Sequence, residues 1–225
     1  MARGKRPDPG VIYHGQLVRD VLSGRGSEEY EWLRNRGIKN YTIMKWRLGA
    51  VREPLTSPDH EQYEGRITIP YLDARGTERG LRYRRIDGKR PKYDGTMQAH
   101  IFGVRFAAEP VVYITEGEFD CMVLHQMGYK AVGIPGANVW QPEWRWIFRN
   151  ADEIVVVPDA DGEEPREVDG RLLAAKGGVA FRMKLLAALK GLPAYVRVVT
   201  LPDGHDVNSM YLSDRKWLRS LLEGK

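Results

Sequence analysis

Residues 152–162 read DEIVVVPDADG, and this stretch decides how the second half of the chain is expected to fold. Four consecutive apolar residues before Pro158 have the pattern of a buried strand. Asp159 and Asp161 follow directly, one residue apart. Two carboxylates at one strand end repel each other unless a cation or hydrogen bonds compensate for their charge. The stretch therefore predicts either a cation site or a pair of turn-forming aspartates.

Strand and helix patterns alternate around this stretch, from residue 110 onward. Predicted strands lie in PVVYITEGEFD, KAVGIPG, EIVVVPDADG and AYVRVVTLPDG. The segments between them have helical patterns: FDCMVLHQMG, QPEWRWIFRN and, as a long helix, DGRLLAAKGGVAFRMKLLAALKG. This alternation predicts an α/β fold with a mostly parallel sheet flanked by helices. In such sheets, ligands bind beyond the carboxyl ends of the strands.

Acid-bearing turns follow three of these four predicted strands. Glu116 follows the first strand, Asp159 and Asp161 follow the third, and LPDGHDVNS brings Asp206 and Asn208 after the fourth. Parallel neighbours would bring these groups to one edge of the sheet. A set of oxygen ligands without histidine or cysteine favours Mg²⁺ or Mn²⁺ over zinc. Each turn also has an ordinary explanation, because aspartate after a strand often forms an Asx turn or a helix N-cap.

The first half of the chain has the pattern of a small α+β subdomain. SEEYEWLRNR predicts a helix that begins at Ser27, a second short helix follows at about 40–47, and GRITIPYLDARGTERGLRYRRI predicts a β-hairpin. The expected domain organisation is a flexible tail or short first helix over 1–26, the basic α+β subdomain over 27–108, the parallel-sheet catalytic domain over 109–212, and a short C-terminal helix or tail over 213–225.

Basic residues concentrate in residues 75–92, which hold eight basic residues against two acidic ones. The cluster indicates a polyanionic partner, although a charge run also suits a solvated loop. Strand alternation places Arg82 and Arg84 on one face and Arg85 on the other, with Tyr83 facing the core. The planar guanidinium group of arginine can donate two parallel hydrogen bonds to phosphate oxygens.

Cysteine usage and hydropathy limit the classes of protein. The single cysteine, Cys121, excludes an internal disulfide and a zinc ribbon. The apolar runs are far shorter than the roughly 20 residues that a membrane-spanning helix needs. We therefore expect a cytoplasmic protein with no membrane partner.

The motifs resemble a known family. TEGEFD followed by VVVPDADG is similar to the Toprim signature, a glutamate after the first strand and Asp-x-Asp after the third. EYEWLRNRGIKNYTIMKWRLGAV and the hairpin followed by PKY resemble the RNA polymerase core of DnaG-type primases. LPDGHDVNSMYL resembles its third acidic motif, Gly-x-Asp-Pro-Asp, with Val207 and Asn208 in place of proline and the second aspartate. The resemblance covers roughly residues 27–212.

The resemblance implies a DNA primase catalytic core, a DNA-directed RNA polymerase that makes short RNA primers from NTPs on single-stranded DNA. It implies catalysis by Glu116, Asp159 and Asp161. The same three residues, with Asp206 and Asn208, would be ligands of Mg²⁺ or Mn²⁺. The residues implied to bind nucleotides or nucleic acid are Arg82, Arg84, Arg85, Lys92 and Tyr93.

DnaG-type primases usually carry a zinc-binding domain and a helicase-interacting domain or fused helicase. One cysteine, and little sequence after Tyr211, make the chain resemble an isolated core of a phage replication module, active in the host cytoplasm. The expected partners are template, NTPs, the RNA primer product, a separate zinc-binding primase subunit and a replicative helicase. Two other functions stay open: a Toprim-fold metal-dependent nuclease, and a catalytically weak nucleic-acid-binding accessory protein, which Asn208 in place of an acid favours.

Overall fold

A computed structural model describes residues 8–24, 26–53, 58–94, 99–168 and 171–225. The chain divides into two compact units: Met1–Leu72 with Thr77–Gln98, and Asp73–Gly76 with Ala99–Lys225. Residues 99–108 therefore belong to the second unit, whereas the sequence placed them in the first. The reason is packing, because Ile101 and Ala107 join the core of the parallel-sheet unit and Phe102 pairs with Gly133.

The first unit combines helices with an antiparallel sheet. Its elements are α1 (Pro9–Ser23), α2 (Glu28–Asn35), α3 (Asn40–Lys45), β1 (Gly49–Ala50), α4 (Pro58–Glu61), β2 (Ile67–Leu72), β3 (Glu78–Arg84) and β4 (Tyr93–Asp94). The sheet order is β1-β2-β3-β4. Helix α2 begins as predicted, since the Ser27 hydroxyl oxygen accepts a hydrogen bond from the Tyr30 amide. The predicted hairpin is the antiparallel β2–β3 pair.

Of the two expectations for residues 1–26, a flexible tail and a short first helix, the residues from Pro9 onward form the helix, α1. Tyr13 and Leu17 are fully buried and lie four residues apart, on one face of the helix. Gly10 and Gly15 lie inside the helix, and glycine lowers helix propensity by about 1 kcal/mol per residue. The local pattern is therefore weak, and tertiary packing holds the helix in place.

The second unit contains the parallel sheet. Its elements are β5 (Val111–Thr115), α5 (Glu118–Gln126), β6 (Ala131–Gly133), β7 (Glu153–Val157), β8 (Arg166–Val168), β9 (Arg171–Leu173), α6 (Gly177–Leu189), β10 (Tyr195–Val198), α7 (Val207–Ser213) and α8 (Arg215–Glu223). The order of the main sheet is β10-β7-β5-β6, and each of its strand pairs is parallel. The predicted α/β class with a helix-flanked parallel sheet is confirmed.

The core of this unit lies between the sheet and the elements that cover it. Ile114 of β5 and Val156 of β7 are fully buried, with Phe181 of α6 and Phe148 packed in the same cluster. Burial on both faces explains why the four residues Ile154–Val157 of β7 are all apolar. The sequence of the strand thus reflects its place inside the sheet.

Two predicted helices differ from the structure. QPEWRWIFRN forms a 3-10 helix over Pro142–Phe148 rather than an α-helix. The segment before α6 forms the antiparallel β8–β9 hairpin, so α6 begins only at Gly177. The Lys176 amide donates to the Glu163 carbonyl at 3.0 Å, which closes residues 163–176 into a loop. In the described part of the chain, no helix has the length and apolar character needed to cross a membrane.

Candidate active site

Three loops meet at the carboxyl edge of the parallel sheet. The Asp159 amide, after β7, donates to Glu116 Oε1, after β5, at 3.2 Å. The Ala160 amide donates to the His205 carbonyl at 2.7 Å, and the Gly204 amide donates to the Ala160 carbonyl at the same distance. The turn after β7 is thereby bonded to the loops of both neighbouring strands. The structure brings together the acidic turns that the sequence placed after these strands.

Helix α6 begins directly against this acidic turn. Asp161 Oδ1 accepts a hydrogen bond from the Gly178 amide at 2.8 Å. A Cβ atom on Gly178 would lie 1.9 Å from the Asp159 carbonyl oxygen and 3.0 Å from Glu116 Oε1. Only glycine allows this approach, and the positive end of the helix dipole stabilises the nearby carboxylate. Sequence reasoning missed this contact, although the Gly177–Gly178 pair before a helical pattern was a visible signal.

The surroundings of Glu116 at this edge disfavour the charge of its carboxylate. Burial is the main cause, and with the negative charges of Asp161 and Asp120 it raises the pKa of Glu116 to about 7. The hydrogen bond from the Asp159 amide acts in the opposite direction. Near neutral pH, Glu116 is therefore partly protonated, and a bound divalent cation would favour its ionised form.

The third acidic motif has a structural role of its own. Asp206 caps α7, because its Oδ1 accepts from the Ser209 amide at 2.6 Å while the Ser209 hydroxyl accepts from the Asp206 amide at 3.0 Å. Asn208 is buried, and its backbone amide donates to Asp120 Oδ1 at 2.9 Å. Asp120 therefore links the first turn of α5 to α7. A role of Asp206 or Asn208 in metal binding stays a prediction.

The donor set at the sheet edge fits a hard divalent cation. Among the described residues, no three His, Cys, Asp or Glu side chains cluster closely enough to hold an ion by themselves. Mg²⁺ rarely uses such an all-protein cage; it usually takes one or two carboxylates and completes its shell with water and substrate phosphates. Asp159 is half-buried and Asp161 is exposed, so both can be reached from solvent. Together with Glu116 they offer the oxygen ligands that this ion prefers.

Strand β3 (Glu78–Arg84), which carries Arg82 and Arg84 and is called the basic strand below, lies in the first unit. The guanidinium carbons of Arg82 and Arg84 lie 4.1 and 4.7 Å from the centroid of the Tyr93 ring. Both therefore lie on one face of the strand, as alternation predicted. Tyr83 is buried and stacks on Tyr63 with ring centroids 3.8 Å apart, which confirms its place in the core.

The other predicted binding residues of this unit differ in their surroundings. Arg84 is 9% exposed, and its Nε atom has no hydrogen-bond partner among the described residues. Arg85 forms an ion pair with Asp87 at 2.8 Å. Lys92 is exposed. Arg84 thus has unused hydrogen-bonding capacity, whereas Arg85 already has an anionic partner.

No protein-family model matches the chain. The chain is similar to two curated proteins. "Gene 57 protein" of Mycobacterium phage D29 is 29% identical over 164 residues, which are 68% of this chain and 95% of that protein. The DNA primase of Clostridium acetobutylicum is 24% identical over 180 residues, which are 75% of this chain and 28% of that protein. The chain thus corresponds to a part of that primase.

Solved structures show the same fold. The structure of the DnaG catalytic core matches with a TM-score of 0.68 and 18% identity, over 96% of this chain and 77% of that chain. The DnaG primase catalytic domain bound to single-stranded DNA matches with a TM-score of 0.65 and 18% identity, over 96% of this chain and 78% of that chain. The expected resemblance is confirmed: the chain has the fold of the DnaG-type primase catalytic core.

Proposed function

We propose that the protein is the catalytic core of a DNA primase, a DNA-directed RNA polymerase that makes short RNA primers from NTPs. The observation that carries the proposal is the hydrogen bond from the Asp159 amide to Glu116. It joins the glutamate after one strand to the Asp-x-Asp turn after its parallel neighbour, in a chain with the DnaG core fold. The DNA primase among its relatives supports the same activity.

The reaction is nucleotidyl transfer. The 3′-hydroxyl oxygen forms a bond to the α-phosphorus of an incoming NTP, and the bond to pyrophosphate breaks. Bound Mg²⁺ or Mn²⁺ would stabilise the negative charge on the attacking and leaving oxygens. Asp159 and Asp161 are the proposed principal ligands. Asp206 and Asn208 are further candidates, and Asn208 offers only a neutral oxygen.

Glu116 has two proposed roles that both agree with its surroundings. Its carboxylate lies against the Asp159 backbone, close enough to that turn to share a cation with it. Its pKa of about 7 also suits a group that accepts the proton of the 3′-hydroxyl near neutral pH. The roles differ in what a Glu116→Gln variant loses, namely cation affinity in one case and the pH dependence of turnover in the other.

The basic strand is the proposed contact for nucleotide phosphates and the nucleic-acid backbone. Arg82 and Arg84 both lie over the Tyr93 ring, with guanidinium carbons 4.1 and 4.7 Å from its centroid. A planar guanidinium group can donate two parallel hydrogen bonds to phosphate oxygens, and an aromatic ring beside it can stack on a base. Arg85 and Lys92 are additional candidates, reached more easily from solvent.

The proposed partners follow from the proposed activity. One structural neighbour was solved bound to single-stranded DNA, which supports a single-stranded template here as well. Substrates would be NTPs, and the product an RNA primer. We also propose a separate zinc-binding subunit and a replicative helicase as partners, and the host cytoplasm as the site of action, since one relative is a phage protein.

The test is synthesis of labelled oligoribonucleotides from NTPs on single-stranded DNA with Mg²⁺ or Mn²⁺. The protein should make short products, and Asp161→Asn should abolish them. Asp152→Asn is the matched control, because Asp152 lies at the opposite end of the same strand region and is exposed. Shortened end-labelled strands in reactions without NTPs would instead identify a nuclease. Metal-dependent template binding without product, with either metal and with partner subunits added, would contradict the proposal.

A further inference from the structure

A pocket of about 220 Å³ opens beside the Asp-Ala-Asp turn. Its walls come from that turn, the end of β10 and the first turns of α6. The ionisable side chains that line it are Asp159, Asp161, Glu164, Asp203 and Arg182. Four carboxylates against one guanidinium repel a bare anion, so an anionic ligand has to enter together with divalent cations.

Arg182 is the one basic side chain among the described residues that line this pocket. It projects from α6, and its Nη2 donates to Glu164 Oε1 at 2.7 Å. The two side chains are 36% and 65% exposed, respectively. Exposed ion pairs contribute little to stability, whereas a guanidinium binds phosphate through two parallel, charge-assisted hydrogen bonds. Arg182 can therefore exchange Glu164 for a phosphate at little cost.

The backbone fixes Glu164 next to this arginine. Gly162 has a positive φ of 101°, and a Cβ atom there would lie 2.1 Å from the Lys176 carbonyl oxygen. The Lys176 amide donates to the Glu163 carbonyl at 3.0 Å. Glu164 thus lies at the closed base of the loop that carries the β8–β9 hairpin, not on a free segment.

We propose that this pocket is a polyphosphate subsite, in which Arg182 binds the β- and γ-phosphate oxygens of an NTP that arrives with divalent cations. Glu164 holds the guanidinium in position until the phosphate replaces it. The cations would lie on the aspartates of the same pocket, and the phosphates would be held between them and Arg182. The leaving pyrophosphate would remain on Arg182 until it dissociates. This inference rests on the proposed function.

The experiment measures calorimetric binding of inorganic tripolyphosphate and of pyrophosphate, each with and without Mg²⁺. The full chain should bind both only with Mg²⁺. Arg182→Ala should weaken binding about tenfold or more. Arg182→Lys should be intermediate, because lysine keeps the positive charge but cannot donate two parallel hydrogen bonds to phosphate. Glu164→Gln should tighten binding severalfold, because the competing carboxylate is gone. The double variant should bind like Arg182→Ala.

Two control variants separate this exchange from simpler effects. Glu163→Gln removes the same charge from the neighbouring residue, which pairs with Lys176 at 3.4 Å and does not line the pocket. Arg149→Ala removes an exposed arginine that follows the 3-10 helix Pro142–Phe148 and donates to the Trp146 carbonyl at 3.2 Å. Both should bind tripolyphosphate like the parent chain, and all variants should unfold at the parent's temperature.

Three results would overturn the subsite. The first is an equal loss of tripolyphosphate affinity in Arg182→Ala and Glu164→Gln, which would show that the ion pair stabilises the fold instead of competing with phosphate. The second is equal tightening by Glu163→Gln and Glu164→Gln, which would show an effect of net charge alone. The third is unchanged binding in Arg182→Ala while the chain still makes primers, which rejects the subsite and leaves the primase proposal standing. Binding that depends on Arg182 in a chain that makes no primers supports the subsite and rejects the primase proposal.

Discussion

The backbone amide of Asp159 donates a hydrogen bond to the Glu116 carboxylate at 3.2 Å. The two residues follow neighbouring parallel strands, β7 and β5, where the strand order reverses direction. Ligands of open α/β sheets bind at such a reversal. The bond fixes the glutamate relative to the Asp-x-Asp turn, so the carboxylates at this edge are held in place by the backbone.

Glu116 makes the stability of the metal-free protein depend on pH. Its pKa is raised from 4.5 to about 7, so the folded state binds the proton more tightly than the unfolded state. The free energy of unfolding should therefore fall as pH rises from about 4.5 to 7, by roughly 3 kcal/mol at most. Glu116→Gln removes this dependence and should raise the melting temperature at pH 8 in EDTA, with little effect at pH 5.

Thermal unfolding of both chains at the two pH values checks this prediction. Glu109→Gln is the control, because the Glu109 side chain is 38% exposed and its carboxylate lies 3.9 Å from the Lys130 ammonium. Mg²⁺ should raise the melting temperature of the parent chain at pH 8 more than that of Glu116→Gln. Identical pH dependence in the parent and Glu116→Gln chains would contradict the pKa assigned to this carboxyl.

The aspartates of the turn should control cation affinity. Asp159→Asn and Asp161→Asn each replace a charged oxygen ligand by a neutral one, and each should lower Mn²⁺ affinity by about 10- to 100-fold. Electron paramagnetic resonance of Mn²⁺ measures the free ion directly. Asp152→Asn should bind Mn²⁺ like the parent chain, and a similar loss in all three variants would mean that only the overall charge matters.

Gly178 should tolerate no side chain. In Gly178→Ala, the new Cβ would lie 1.9 Å from the Asp159 carbonyl oxygen, so either α6 or the acidic turn has to move. We expect a loss of about 1–3 kcal/mol in the free energy of unfolding, together with loss of Mn²⁺ binding. Gly15→Ala is the contrasting variant, because no atom lies within 4 Å of its Cβ position in α1.

In denaturant unfolding, the two variants should change the free energy of unfolding in opposite directions. Alanine in an exposed helix interior is more favourable than glycine, so Gly15→Ala should gain up to about 1 kcal/mol. A stable Gly178→Ala chain that still binds Mn²⁺ would show that the close approach of α6 is dispensable for the site.

The basic strand should account for part of the salt dependence of DNA binding. Arg82→Ala should weaken binding to single-stranded DNA and lower the slope of log affinity against log salt concentration by about one. Arg79→Ala removes an exposed arginine of the same strand that lies at the bulge in its pairing with β2, and it should leave the slope nearly unchanged. Fluorescence anisotropy over a salt series measures both, and equal slopes for the two variants would argue against a binding face at Arg82.

The carboxylates at the carboxyl edge of the parallel sheet could be predicted, because the sequence features that indicate them are local. The apolar run of β7 and the aspartates after it are adjacent in sequence, and alternation of strands and helices fixes which ends meet. Helix α1 gave no such signal, because Gly10 and Gly15 weaken it and burial of Tyr13 and Leu17 depends on the rest of the unit.

The Arg182–Glu164 pair could not be predicted from spacing. Its members are 18 residues apart and meet because the β8–β9 loop closes at Gly162 and Lys176. That closure depends on contacts between backbones, which hydropathy patterns do not encode. The hairpin itself lay within a segment whose alanines and leucines indicated helix.

The most direct measurement is the anomalous scattering of Mn²⁺ in a crystal of the protein soaked with the ion. The proposed site at the carboxyl edge predicts an anomalous peak coordinated by carboxylate oxygens of Asp159 and Asp161, with Glu116 beside it. Manganese bound only at other carboxylates, or no peak at this turn in a crystal saturated with the ion, would contradict the proposed nucleotidyl-transfer site.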